Sequence, residues 1–141
     1  MIIQQISVFL ENKSGRLTEV TEVLARNAIN ITALSVAETS EYGVVRLIVT
    51  DPVLATSVLK QEGFAVTGTD VLCLAMPNEA GSLARALRLL SNASVDIEYM
   101  YAFSMGTKAL GIIRCDNLTM AIDVLTKHRM ELVCASDLYT I

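Results

Sequence analysis

Apolar and polar positions alternate at the start of the chain. Ile6, Val8 and Leu10 stand on one face and Ser7 and Phe9 on the other, the period-two pattern of a half-buried strand. The spacing then changes. Leu17, Val20, Leu24 and Ala28 follow at intervals of three and four, which predicts an amphipathic helix. Residues 29–37 and 44–50 read as strands on either side of a turn signal at Glu41-Tyr42-Gly43. Asp51-Pro52 then offers an N-cap carboxylate with proline at the first helical position, and Leu54, Val58 and Leu59 give that helix its buried side. Phe64-Ala65-Val66 reads as a closing strand.

The same pattern then recurs. With an offset of 66, Asn12 falls on Asn78, Gly15 on Gly81, Leu17 on Leu83, Leu24 on Leu90 and Ile31 on Ile97. Leu72, Leu74 and Met76 alternate with Cys73 and Ala75, and Leu83, Leu87, Leu90 and Ala93 repeat the helical stripe. Val95 to Phe103 and Ala109 to Cys115 read as strands around a turn at Met105-Gly106-Thr107. A slip of one residue lays Asp51 over Asp116, which predicts Asp116 as the cap of the second repeat's later helix, where Ile122 and Leu125 face inward. Two half-size domains follow, residues 1–69 and 70–141.

Each repeat has the order strand, helix, strand, strand, helix, strand. This is the ferredoxin-like βαββαβ unit, an α+β fold with two helices on one face of a four-stranded antiparallel sheet. A unit of this size has little core of its own. The other sheet face carries Phe9, Cys73 and Ala75, so the two units are expected to pack together and chains to associate. Only Thr67-Gly68-Thr69 separates the last strand of one repeat from the first of the next. Either one long strand serves both sheets or the closing strand is very short. Exchange of Asp137 to Ile141 as a strand of the neighbouring sheet is a further expectation.

Composition narrows the function. The 141 residues carry a net charge of −4, against the basic patch of a nucleic-acid binder. No apolar run approaches the roughly 18 residues of a membrane span, and Met1 to Leu10 lacks a basic leader region. Cys73, Cys115 and Cys134 are odd in number and widely spaced, which predicts free thiols in a reducing cytoplasm and no metal site. The single histidine, His128, sits where a helix ends and suits its dipole. No catalytic motif is present, so no enzyme activity and no cofactor are expected.

The informative segments are ENKSGRL and PNEAGSL, where each repeat leaves its first strand and enters a helix. Glycine in a helix's first turn costs stability. It is there either to let helix and strand pack closely or to let a ligand approach the backbone. The helix N-terminus beyond it presents unpaired N–H groups suited to a carboxylate.

With Asn30-Ile31 and Asp96-Ile97 following each helix, this pattern resembles the ACT domain family, over nearly the whole chain as a tandem pair. The family's loop often reads Asp or Asn, any residue, Pro, Gly, then an apolar residue. Asn12 and Asn78 match its first position, Gly15 and Gly81 the glycine, and Leu17 and Leu83 the apolar place; Ser14 and Ala80 replace the proline. The resemblance implies a small regulatory module that binds a free amino acid where domains pair. Amides of Ser14 to Arg16, or of Ala80 to Ser82, would hold the carboxylate, and the Asn12 or Asn78 side chain the ammonium. Asn30 or Asp96, beside Ile31 or Ile97, would contribute from the second strand.

The two loops differ in charge: Lys13 and Arg16 correspond to Glu79 and Ser82. Tyr99, Tyr101 and Phe103 share a strand face, suited to core or interface packing or to lining an aromatic pocket. Partners are therefore expected to be an amino acid and either a second copy or a partner enzyme. A ligand-independent assembly subunit is the competing reading. An acylphosphatase-like enzyme would need an arginine–glycine phosphate cradle, which ENKSGRL does not resemble.

Overall fold

The computed structural model describes residues 1–11, 13–38 and 41–139. Among them, seven strands and five helices alternate in two cycles. The first cycle is β1 (Ile3–Glu11), α1 (Arg16–Arg26), β2 (Ile31–Glu38), β3 (Tyr42–Val49) and α2 (Pro52–Gln61). A single thirteen-residue strand, β4 (Ala65–Pro77), follows. The second cycle is α3 (Ser82–Asn92), β5 (Ile97–Met105), β6 (Lys108–Cys115), α4 (Leu118–Lys127) and β7 (Glu131–Leu132), with a short α5 (Ala135–Tyr139) after it.

The chain forms two compact units. The first holds Gln4–Thr69 with the segment beginning at Ser136; the second holds Asp70–Ala135 with Met1–Ile3. The boundary between Thr69 and Asp70 falls inside β4, so one long strand closes the first sheet and opens the second. Strand order in the first unit is β2-β3-β1-β4 and in the second β5-β6-β4-β7, the arrangement of the βαββαβ unit in both. The antiparallel registers repeat as well: Ile6 lies opposite Leu47, and Leu72 opposite Ile113.

The two cores use corresponding residues. Ile6, Val8, Leu24, Leu47 and Leu59 are buried in the first unit. Leu72, Leu74, Leu90, Ile113 and Leu125, each 66 positions later, are buried in the second. Each such aliphatic side chain, fully withdrawn from water, contributes about 1.5–3 kcal/mol.

Several details differ from the sequence reading. The offset of 66 holds through the later helices, with no slip: Asp51 caps α2 by accepting from the Leu54 amide at 3.0 Å, and Asn117 caps α4 by accepting from Met120 at 3.0 Å. Asp116 is not the cap. It corresponds to Thr50 and receives the amide of Asp96. Helix α1 buries Val20, Val23 and Leu24 while Leu17 and Ala28 are exposed; α3 buries Ser82, Ala86 and Leu90 while Leu83 is exposed. Val20, Leu24 and Leu90 keep their expected buried places, and Val23 and Ala86 take the inward positions expected for Leu17 and Leu83. The tail exchanges as a helix: Leu138 of α5 is fully buried, and the Tyr139 hydroxyl donates to the Gln4 carbonyl at 3.4 Å. Residues 137–139 of the expected strand are helical, and residues 140 and 141 lie outside the described residues.

Candidate functional site

The turn between β1 and α1 is built on Gly15. Its φ of 89° is left-handed, and it serves as N-cap of α1 without a side-chain hydrogen bond. Gly81 repeats this before α3, with φ 91°. Neither glycine lies inside the first helical turn, and neither is required by crowding. Among the described residues, a Cβ on Gly15 would meet nothing within 4 Å, and one on Gly81 only Arg85 Nη1 at 3.5 Å. The requirement is the backbone angle, which glycine alone adopts without penalty.

The turn is tightened by the Lys13 amide donating to the Glu11 carbonyl at 2.7 Å. Because the glycine has no side chain, the first-turn amides of an eleven-residue helix have no side-chain cap among the described residues. A cavity of about 90 Å³ opens here. Leu10, Glu11, Lys13, Arg16, Leu17 and Val36 are among the residues lining it.

Charge around this cavity is arranged rather than loose. Lys13 Nζ lies 3.0 Å from Glu11, and both side chains are well exposed. The Lys13 hydrogen bond and charge, with Arg16 behind them, hold the Glu11 carboxyl below its ordinary range. Arg16 is folded inward. Its guanidinium sits 4.7 Å from the centroid of Phe64, and Nη1 donates to Glu19 at 2.8 Å. Its Nε is buried with no hydrogen-bond partner among the described residues.

The structure places the second turn differently. Asn78 is tied to the β5–β6 turn, its amide donating to the Thr107 carbonyl at 2.9 Å and its Nδ2 to the Gly106 carbonyl at 3.3 Å. Glu79 lies 3.7 Å from Arg85, and Ser82, in Arg16's place, is buried beside Arg85. Ala80 and Leu83 are exposed.

Lys13, Ser14, Gly15, Arg16 and Leu17 are thus brought together, and Asn12 lies outside the described residues. Asn30 and Ile31 are not brought to them. On β2, Glu38 pairs with Gly43 near the turn, while Ile31 pairs with Val49 at the far end. Seven residues of strand separate them, about 23 Å. Asp96 and Ile97 lie in the same way at the far end of β5 from Gly81. The sequence reading also missed Glu11 and Phe64. Glu11 precedes the motif and Phe64 is distant in sequence, so spacing alone does not single them out.

The ACT domain pair family matches residues 1–141. The chain belongs to this family. Among solved structures it is similar to protein BT0572 from Bacteroides thetaiotaomicron, at 49% identity and a TM-score of 0.97, over 100% of this chain and 98% of that one. It also resembles in fold the ligand-free regulatory subunit of aspartate kinase from Thermus thermophilus (12% identity, TM-score 0.68, 90% and 94% of the two chains). The regulatory subunit from Thermus flavus is similar at 13% identity and a TM-score of 0.63, over the same shares. No curated protein matches the chain in sequence.

The tandem ACT chain contains no helix long and apolar enough to cross a membrane among its described residues. Cys73 is buried, and burial pushes its thiol up to about 12, the opposite of an activated nucleophile. Cys115 is shifted in the same direction by the same cause.

Proposed function

We propose that this tandem ACT chain is a regulatory module that binds a free amino acid at the Lys13–Leu17 turn and performs no catalysis of its own. The supporting observation is the N-terminus of α1, which follows left-handed Gly15 without a side-chain cap among the described residues and lies beside a cavity lined in part by Glu11, Lys13 and Arg16. Amides and helix dipole favour the ligand carboxylate. Glu11, already ionised by its neighbours, complements the ammonium. A cavity of about 90 Å³ favours a small side chain. A sensor of metabolite levels needs a dissociation constant of roughly 10 µM to 1 mM, or about 4–7 kcal/mol, within reach of a few charge-assisted hydrogen bonds.

Asn30 and Ile31 lie at the far end of β2 from their own turn, so they would meet such a ligand from a second copy of the chain. The same holds for Asp96 and Ile97 with respect to Ala80, Gly81 and Ser82. Output would then be a change in association, because a ligand shifts an equilibrium only through different affinity for its two states. The regulatory subunits of similar fold in Thermus fit a module acting on a partner enzyme in trans.

A purely structural role is favoured for the second turn alone. There Asn78 and Glu79 are already engaged with Gly106 and Arg85. Thermal denaturation with each of the twenty amino acids tests the reading. A ligand at 100 times its dissociation constant adds about 2.7 kcal/mol. A shift with at least one small amino acid is expected, lost in Gly15→Val and retained in Gly81→Val. No shift with any of the twenty would leave the assembly role instead.

A further inference from the structure

Helices α1 and α3 occupy corresponding places in the two units, yet acids on one correspond in position to bases on the other. Glu19 and Glu22 on α1, and Glu62 at the end of α2, correspond by the offset of 66 to Arg85 and Arg88 on α3 and His128 at the end of α4. In the second unit these groups surround a groove of about 600 Å³ between α3 and the end of α4, with Ala84, Leu89 and Met130 among its lining.

Part of this charge is locally engaged. Arg85 lies 3.7 Å from Glu79, Glu19 is 2.8 Å from Arg16, and Glu62 is 3.9 Å from Arg26. Glu22 and Arg88 are exposed, and neither is in an ion pair or hydrogen bond among the described residues. The central acid of one face and the central base of the other are therefore both uncommitted. Beside Glu22 the outer face of α1 is built from Thr18, Thr21 and Ala25, side chains small enough for close helix approach.

We propose that the α3–α4 groove of the second unit receives helix α1 of a second copy of this chain, with Glu22 of one copy against Arg88 of the other. The acids of α1 meet the bases at the groove rim. The small outer face of α1 lies on the apolar floor of Ala84, Leu89 and Met130. Neither Glu22 nor Arg88 has an ion-pair partner in its own chain among the described residues, so the match is offered to a second copy. This surface does not include the Lys13–Leu17 turn, and the contact requires no ligand.

Charge-swap variants test it by sedimentation equilibrium on the full chain without added amino acids. The wild-type chain is expected to self-associate between micromolar and millimolar concentration, and to dissociate near 1 M salt, where the screening length falls to about 3 Å. Arg88→Glu and Glu22→Arg, each on an exposed helix face, should each weaken association about tenfold or more. An equimolar mixture of the two variants should recover it. A wild-type chain that stays monomeric throughout would overturn the proposal. So would single variants that associate like the wild type, or a mixture that fails to recover. Circular dichroism of each variant separates lost association from lost fold.

Discussion

The amide of Asp96 donates to Asp116 Oδ1 at 3.0 Å, and the amide of Asp116 donates back to the Asp96 carbonyl at 3.0 Å. Asn30 and Thr50 form the same reciprocal clasp in the first unit, through Thr50 Oγ1 and at the same distances. The clasp joins the start of the second strand of each unit to the end of the third. Asp116→Ala is expected to cost about 1 kcal/mol by removing one acceptor. Asp116→Thr, which copies the first unit, should keep most of that stability. Urea denaturation of both variants checks the pair.

The glycine N-caps should respond to backbone angle and not to crowding. Gly15→Ala places a Cβ in open space at φ 89°, so the expected loss is about 1–2 kcal/mol of conformational strain. Gly15→Asn should recover part of it, because asparagine tolerates the left-handed region better. Equal losses for alanine and asparagine in denaturant titrations would point to a different cause.

Much of this architecture was legible in the sequence because the period of apolar residues is set by strand and helix geometry. Val8 and Leu24 are core residues on pattern alone, and the duplicated turn announces itself by its glycine. The Asp116 cap was misread because aspartate is a favoured N-cap residue, which drew the alignment one position out of step. What repeats is the oxygen of Thr50 and Asp116, not an identity. The sequence carries no φ, so Gly15 looked like a helix residue when it is the cap. The tail ASDLY has one apolar anchor, Leu138, before its tyrosine, too little periodicity to separate a helix from a strand. In the candidate site the five-residue turn was legible. The Arg16–Phe64 contact was not, since it depends on a residue 48 positions away.

The thiols should divide by burial. Cys73 and Cys115 are buried and Cys134 is exposed. In the native protein near neutral pH, a thiol reagent is expected to titrate one cysteine rapidly, and all three after denaturation. Cys134→Ser should abolish the fast phase. Burial raises the Cys73 thiol from its ordinary 9.0 to about 12. The unfolded chain therefore releases that proton first as pH rises. Stability from this group is complete below about pH 9 and is lost progressively between there and about pH 12. A Cys73→Ala variant, compared by denaturation across that range, should show the smaller loss.

Glu11 should titrate below an ordinary glutamate because Lys13 and Arg16 favour its charged form. Its contribution is therefore present above the ordinary carboxylate range and is lost as pH falls through the lowered value. Both partners are exposed, so the effect on stability is small and the direct readout is the carboxyl itself. Carboxyl NMR titration should show the Glu11 midpoint moving upward in Lys13→Ala.

The Lys13–Leu17 turn is the proposed ligand site. Amide chemical shifts of the labelled full chain, followed during titration with small amino acids, read that turn directly. Saturable shifts at the amides of Gly15, Arg16 and Leu17 for at least one of them, absent in Gly15→Val, are the expected result. Titrations that leave those three amides unmoved for every amino acid would contradict it.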